Sequence, residues 1–299
     1  AVLGGGGEIG GADSAAMDVI SGNGASGLIL QGSTNTVTGN RVGTDAAGQV
    51  AVPNGGDGVK LQNGAGNTLR DNLISGNLGE GVRLFAGGTT GNIVAGNVIG
   101  LAADGATPLG NGGSGVNLKS SPAGNTIGGL TAADRNWIAG NGDVGIDCEA
   151  SAGGNVLSGN VVGLALDGQT PVPNAQGGIR VLADDTLVGG AGTDVSVGNI
   201  VAGNTGCGIL VDGADILVVG NTVGLTVDGS AAAPNSTCGI SVAGGPLAIG
   251  GAGPGEGNRV AGNAGDGILL SGASVTGVTV AGNVVGLGVD GTVFGNGGH

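Results

Sequence analysis

Polar and apolar positions in this chain recur in columns. Asn23, Asn54, Asn77, Asn111, Asn141, Asn174, Asn204, Asn235 and Asn263 are each followed four residues later by glycine, and that glycine by Leu, Val or Ile. Beyond it most segments alternate, as in Gly58-Val59-Lys60-Leu61 and Gly81-Val82-Arg83-Leu84. Alternation of period two predicts a strand with one face inward. A second column runs through Asp18, Asn40, Asn72, Asn97, Asn136, Asn160, Asn199, Asn221, Asn258 and Asn283. Two residues after each stands Ile20, Val42, Ile74, Ile99, Ile138, Val162, Val201, Val223, Val260 or Val285. A column made only of β-branched residues predicts one wall of a core. A third, less regular set (Asn35, Asn67, Asn92, Asn125, Asn155) opens strands that carry Val37, Leu69, Val94, Ile127 or Leu157 inward.

Three short strands per coil, parallel from coil to coil, make a triangular solenoid of ten coils, roughly 48 Å long at the spacing of stacked strands. Corner asparagines stack their amides and bond the turn backbone, and glycines supply the φ > 0 positions that corners require. Coils alternate in kind. Short ones end in a Gly-Asn corner, whereas long ones insert GTDAAG from residue 43, then GLAADG, GLALDG, GLTVDG and GLGVDG from Gly100, Gly163, Gly224 and Gly286. The true unit is therefore a pair of coils, five times over. Just after the second column an outward stripe of Val19, Leu73, Val98, Trp137, Val161, Ile200 and Val284 is apolar. Such a stripe is covered either by the insertion loops or by a partner.

Composition narrows the field. Glycine accounts for 75 of 299 residues, with no tyrosine, one tryptophan and two phenylalanines, so no core is built around aromatics. Collagen's three-residue glycine period is absent, and 39% apolar content is too high for disorder. A net charge of −14 disfavours nucleic acid and anionic membranes, and no apolar run approaches the roughly 20 residues of a membrane helix. The sequence opens at Ala1 without a signal peptide, as a processed secreted chain or an excised piece would.

The pattern N-x-I-G…DG…N-x-x-x-G-V…N-x-I-G-G resembles, over the whole chain, the Asn/Gly-rich right-handed parallel β-helix repeats of large secreted bacterial proteins, which share the pectin-lyase-like fold. That resemblance implies a right-handed three-sided parallel β-helix and an extracellular or cell-surface setting. For function it implies little, because the fold carries lyases, hydrolases, epimerases, adhesins and passive spacers.

Candidate chemistry is sparse. Lys60, Arg83, Lys119, Asp147, Glu149, Arg180 and Asp212 fall at outward positions of the first strand in consecutive coils, the one polar band suited to a glycan; the alternative is plain solvated surface. The paired aspartates and embedded histidine of the family's hydrolases have no counterpart, and the sole histidine is His299. Asp104, Asp167, Asp228 and Asp290 recur before glycine in the insertions. They serve either tight turns or, as a row of acids, calcium, the one cofactor the sequence suggests. Cys148 lies in the inward column and should be an inert thiol. Cys207 and Cys238 fall at equivalent places in successive coils, within disulfide reach and equally able to stay reduced.

Both ends lack a cap, and they match in phase. The chain stops at Asn296-Gly297-Gly298-His299 and starts at Ala1-Val2-Leu3, where the next coil would begin. The expectation is a secreted, non-enzymatic structural solenoid, one uncapped domain over 1–299, that stacks head-to-tail into a homopolymer with lateral filament contacts. A carbohydrate-active or glycan-binding β-helix is the alternative, and a spacer segment of a large adhesin the third.

Overall fold

The computed structural model describes residues 2–11, 13–190 and 198–298. Its strands fall into three ten-stranded sheets, and within each sheet every strand pairs in parallel with its equivalent one coil away. The fold is a right-handed three-sided parallel β-helix of ten coils. The first sheet holds segments such as Val59–Gln62 and Val82–Phe85, the second Thr68–Arg70 and Ile93–Ala95, and the third Leu73–Ile74 and Val98–Ile99. Among the described residues helix is limited to two 3₁₀ turns, Ser14–Ala16 and Ala132–Asp134.

The core is aliphatic ladders. Val42, Ile74, Ile99, Ile138, Val162, Val201, Val223 and Val260 are fully buried, stacked along the third sheet. Ile20 is part-buried against the same core. Val285, expected inside, is 47% exposed, because it stands in the tenth layer with a neighbour on one side alone.

Three asparagine ladders run along the corners. In the longest, each Nδ2 from Asn23 to Asn263 donates to Oδ1 of the next member, ending on Asn296. The remaining Nδ2 hydrogen binds a carbonyl of the neighbouring coil, as Asn77 does to Val42 and Asn111 to Ile74. The second ladder joins Asn40 to Asn283 and the third Asn35 to Asn155. Buried amides are tolerated because they bond one another.

The glycines play two roles, and the expectation of φ > 0 covers just one. Gly22, Gly76, Gly140 and Gly203, before ladder asparagines, do have φ between 72° and 74°. The column glycines after the asparagines (Gly58, Gly81, Gly115, Gly145, Gly178) do not. There a Cβ would collide with the next coil: at Gly178 it would lie 2.2 Å from Val201 Cγ1 and 2.4 Å from the Gly208 carbonyl. Close approach selects glycine at these positions.

The alternation of coils has a geometric cause. Each insertion is a small antiparallel hairpin, bridged at Thr44–Ala51, Leu101–Pro108, Leu164–Pro171, Leu225–Ala232 and Leu287–Val293. Two strands side by side span about 9–10 Å, the height of two coils, so a hairpin fits on every second coil. Neighbouring hairpins join through Ala103 N–H to Gly48 O at 2.8 Å, Leu166 N–H to Gly105 O at 2.8 Å and Val227 N–H to Gly168 O at 3.0 Å. They cover the middle of the outward apolar stripe. Val161 and Ile200 are buried with Leu164, Ala202 and Ala233, Trp137 packs against them, and Val98 joins Leu101, Ala139, Ala165 and Val172. Val19, in the first coil, stays 43% exposed.

Candidate functional site

The polar band resolves into two columns on the outer face of the first sheet. In one, Lys60, Arg83, Asn117, Asp147 and Arg180 are successive register partners. In the other, Gln62, Phe85 and Lys119 stack, with Glu149 beyond Lys119. Parallel in-register pairing places these side chains about 4.8 Å apart, so opposite charges one coil apart meet directly. Arg180 forks onto Asp147 through Nε–Oδ1 at 2.8 Å and Nη2–Oδ2 at 2.7 Å. This bidentate bond raises the Arg180 pKa further above its ordinary value. Lys119 Nζ reaches Glu149 Oε1 at 2.9 Å, and Asn117 Nδ2 lies 3.3 Å from Asp147 Oδ2. Lys60 Nζ sits 4.4 Å from the centre of the Phe85 ring, within cation–π range. Asp212 is exposed at the margin.

Partners that sequence reasoning missed complete the band. Arg83 pairs with Glu80 at 3.0 Å and Asp57 at 3.3 Å. Burial pushes the Glu80 carboxyl upward, opposed by the Ser114 N–H and by Arg83. Asp57 and Glu80 each directly precede a column glycine, a place readable in the sequence once outward positions on the turn are counted. Arg83 Nε and Asn117 Oδ1, on register partners, are buried with no hydrogen-bond partner, so the band retains one donor and one acceptor.

The insertion aspartates are held by their own turns. Asp104 accepts from Ala106 N–H, Thr107 N–H and the Thr107 hydroxyl at 2.9, 2.9 and 2.6 Å, and Asp167 repeats this with Gln169 and Thr170. Asp228 accepts from Ser230 and Thr226, and Asp290 from Thr292 N–H. The hydroxyls of Thr107 and Thr170, and the Ser230 and Thr292 N–H groups, lead in holding these carboxyls below their usual range. Among the described residues no three His, Cys, Asp or Glu side chains gather to hold a metal.

Cys207 and Cys238 form a disulfide with Cα atoms 4.4 Å apart, and Cys148 is a buried thiol whose pKa burial drives upward. Thiol titration of the unfolded, unreduced chain should find one reactive group; three would contradict the bond. Of the expected junction, Ala1 and His299 lie outside the described residues. Val2 and Leu3 pair with Ile29 and Leu30, and Asn296 takes the last place in the first ladder.

Comparison with known proteins shows likenesses to a family model and to a solved structure. A family model described as NosD, a periplasmic copper-binding protein, matches residues 15–101, less than a third of the chain. A solved structure of a mutant of the periplasmic alginate epimerase AlgG aligns with a TM-score of 0.41 at 15% identity, covering 86% of this chain and 44% of that one. This chain thus spans under half of that protein's length. No curated protein matches significantly.

Proposed function

We propose that the chain is a rigid, exported β-solenoid that binds a glycan along the polar band of its first sheet. The observation that carries this reading is the placement of basic residues. In a chain of net charge −14 with eight lysines and arginines, four of them (Lys60, Arg83, Lys119 and Arg180) project from one face within five consecutive coils. Strands fix their spacing, ion pairs hold Arg83, Lys119 and Arg180, and the Phe85 ring holds Lys60, which reduces the entropy lost when a ligand docks. Binding is favoured over cleavage because Asp147 and Glu149 are committed to Arg180 and Lys119, and Asp57 and Glu80 to Arg83, which leaves the band no acid–base pair poised over a bond. Export is supported by the Cys207–Cys238 bond, which suits an oxidising compartment, and by the periplasmic description of the matched family. No helix among the described residues is long and apolar enough to cross a membrane.

Copper is not part of the proposal. Residues 15–101 contain neither cysteine nor histidine, and Met17 is their single soft ligand. Head-to-tail stacking stands as a separate proposal that no observed contact supports.

Affinity electrophoresis against acidic and neutral polysaccharides tests the reading. Retardation by an acidic glycan is expected, weakened at least tenfold in a Lys60→Ala, Lys119→Ala, Arg180→Ala variant of unchanged circular dichroism. Equal retardation of the variant, or none of the parent chain, would sink it. Release of unsaturated uronides would move the assignment from binding to lyase chemistry.

A further inference from the structure

The corner between the second and third sheets is where the short coils differ. Four of them carry an insertion there, opened by Gly10-Gly11, Gly128-Gly129, Gly189-Gly190 and Gly250-Gly251. The third coil passes from Arg70 to Asn72 through Asp71 alone. At this gap a groove of about 340 Å³ lies against the outer face of the third sheet. Leu73 and Val98 of the apolar stripe line it, together with Ala103 and Leu166 from two hairpins and Met17 from the first coil.

Arg41 and Asp71 also line the groove, and their state is unusual for this chain. Arg70 is bound to Asp134, Arg83 to Glu80, Lys119 to Glu149 and Arg180 to Asp147. Arg259, which occupies the same stripe position as Arg41 seven coils further on, donates to the carbonyls of Leu287 and Gly288 at 3.1 and 2.6 Å. Among the described residues the Arg41 guanidinium has no hydrogen bond, ion pair or ring contact, and the Asp71 carboxylate accepts no hydrogen bond. A part-buried guanidinium and a carboxylate that satisfy neither each other nor their neighbours leave opposite charges for a ligand to complement.

Those groups specify the ligand's chemistry. The guanidinium fork matches a carboxylate. Asp71 takes a donor, and a hydroxyl suits it better than an ammonium, whose three hydrogens need three acceptors where the groove offers one carboxylate. The aliphatic wall suits the C–H face of a ring. We propose that the groove at the third coil is a binding site for a sugar acid, with Arg41 on its carboxylate and Asp71 on a ring hydroxyl. The site lies on a different sheet from the polar band and stands independently of the reading above.

Calorimetric or NMR titration of the intact chain with D-glucuronate tests it. Saturable binding is expected, with glucose, which lacks the carboxylate, at least tenfold weaker. Arg41→Gln should weaken glucuronate binding tenfold or more and leave the melting temperature unchanged, because the Arg41 guanidinium holds no partner. Ala103→Phe, which fills the groove from the hairpin side, should abolish binding. No binding by the parent chain, equal binding by Arg41→Gln, or tighter binding of leucine than of glucuronate would overturn the assignment.

Discussion

Replacing Asn204 with alanine should destabilise the chain by about 3–5 kcal/mol, although the side chain touches no solvent and no site. Its Oδ1 accepts from the Asn174 backbone N–H at 3.4 Å and from Asn174 Nδ2 at 2.9 Å. Its own Nδ2 donates to Asn235 Oδ1 at 3.0 Å and to the carbonyls of Val162 and Ala202, both at 3.1 Å. Alanine strands two donors of Asn174 and weakens three acceptors, all buried, at about 1–3 kcal/mol for each group left without a partner. Asn204→Asp should be worse than alanine, because it sets a buried negative oxygen against three acceptors. The control is Asp104→Ala, in an exposed hairpin turn, whose loss should be much the smaller of the two. Urea unfolding followed by circular dichroism reads the shift. Hydrogen exchange across residues 174–242 reads whether the damage stays local, as a chain of nearest-neighbour coils allows. A loss below about 1 kcal/mol for Asn204→Ala would mean that the ladders record the register without holding it.

What the sequence disclosed follows from the same linear logic. A solenoid repeats one environment ten times, so residues sharing a column announce a shared role, and the inward wall from Ile20 to Val260 was legible without coordinates. The disulfide was legible as geometry, since stacked equivalents meet at strand spacing, while its oxidation was left open. The partners of the band were only partly legible. Arg180 and Asp147 meet once the register is known, but the link of Arg83 to Asp57 and Glu80 depends on where a turn side chain points. Arg41 was not legible. Arg41 and Arg259 share a column, and whether each guanidinium finds carbonyls depends on the hairpin beside it. The groove arises from an insertion that the third coil lacks, and absence leaves no motif to find.

Glycine columns were legible, but their cause was not, and the two causes predict opposite sensitivities. Gly154 has φ +69° with nothing within 4 Å of a built Cβ. Alanine there meets only the cost of the left-handed region, about 1–2 kcal/mol, and asparagine should recover much of it. Gly178 has an ordinary φ, which alanine adopts freely, and by propensity alone the substitution would stabilise the chain slightly. Its Cβ, however, would fall 2.2 Å from Val201 Cγ1, 2.4 Å from Gly208 O and 3.1 Å from Asn204 Nδ2. Carbon atoms settle at about 3.5–4.0 Å. Val201 cannot yield, since it is β-branched and fully buried, and Gly208 O is pinned by the Ile179 N–H at 2.8 Å. The seventh and eighth coils must therefore part, which strains the Asn204 ladder contacts as well. Gly178→Ala should cost about 3 kcal/mol or more, and Gly178→Asn should cost more still, the reverse of the order at Gly154. If the two sites respond alike in urea titrations, backbone conformation governs both columns and the close-approach account fails.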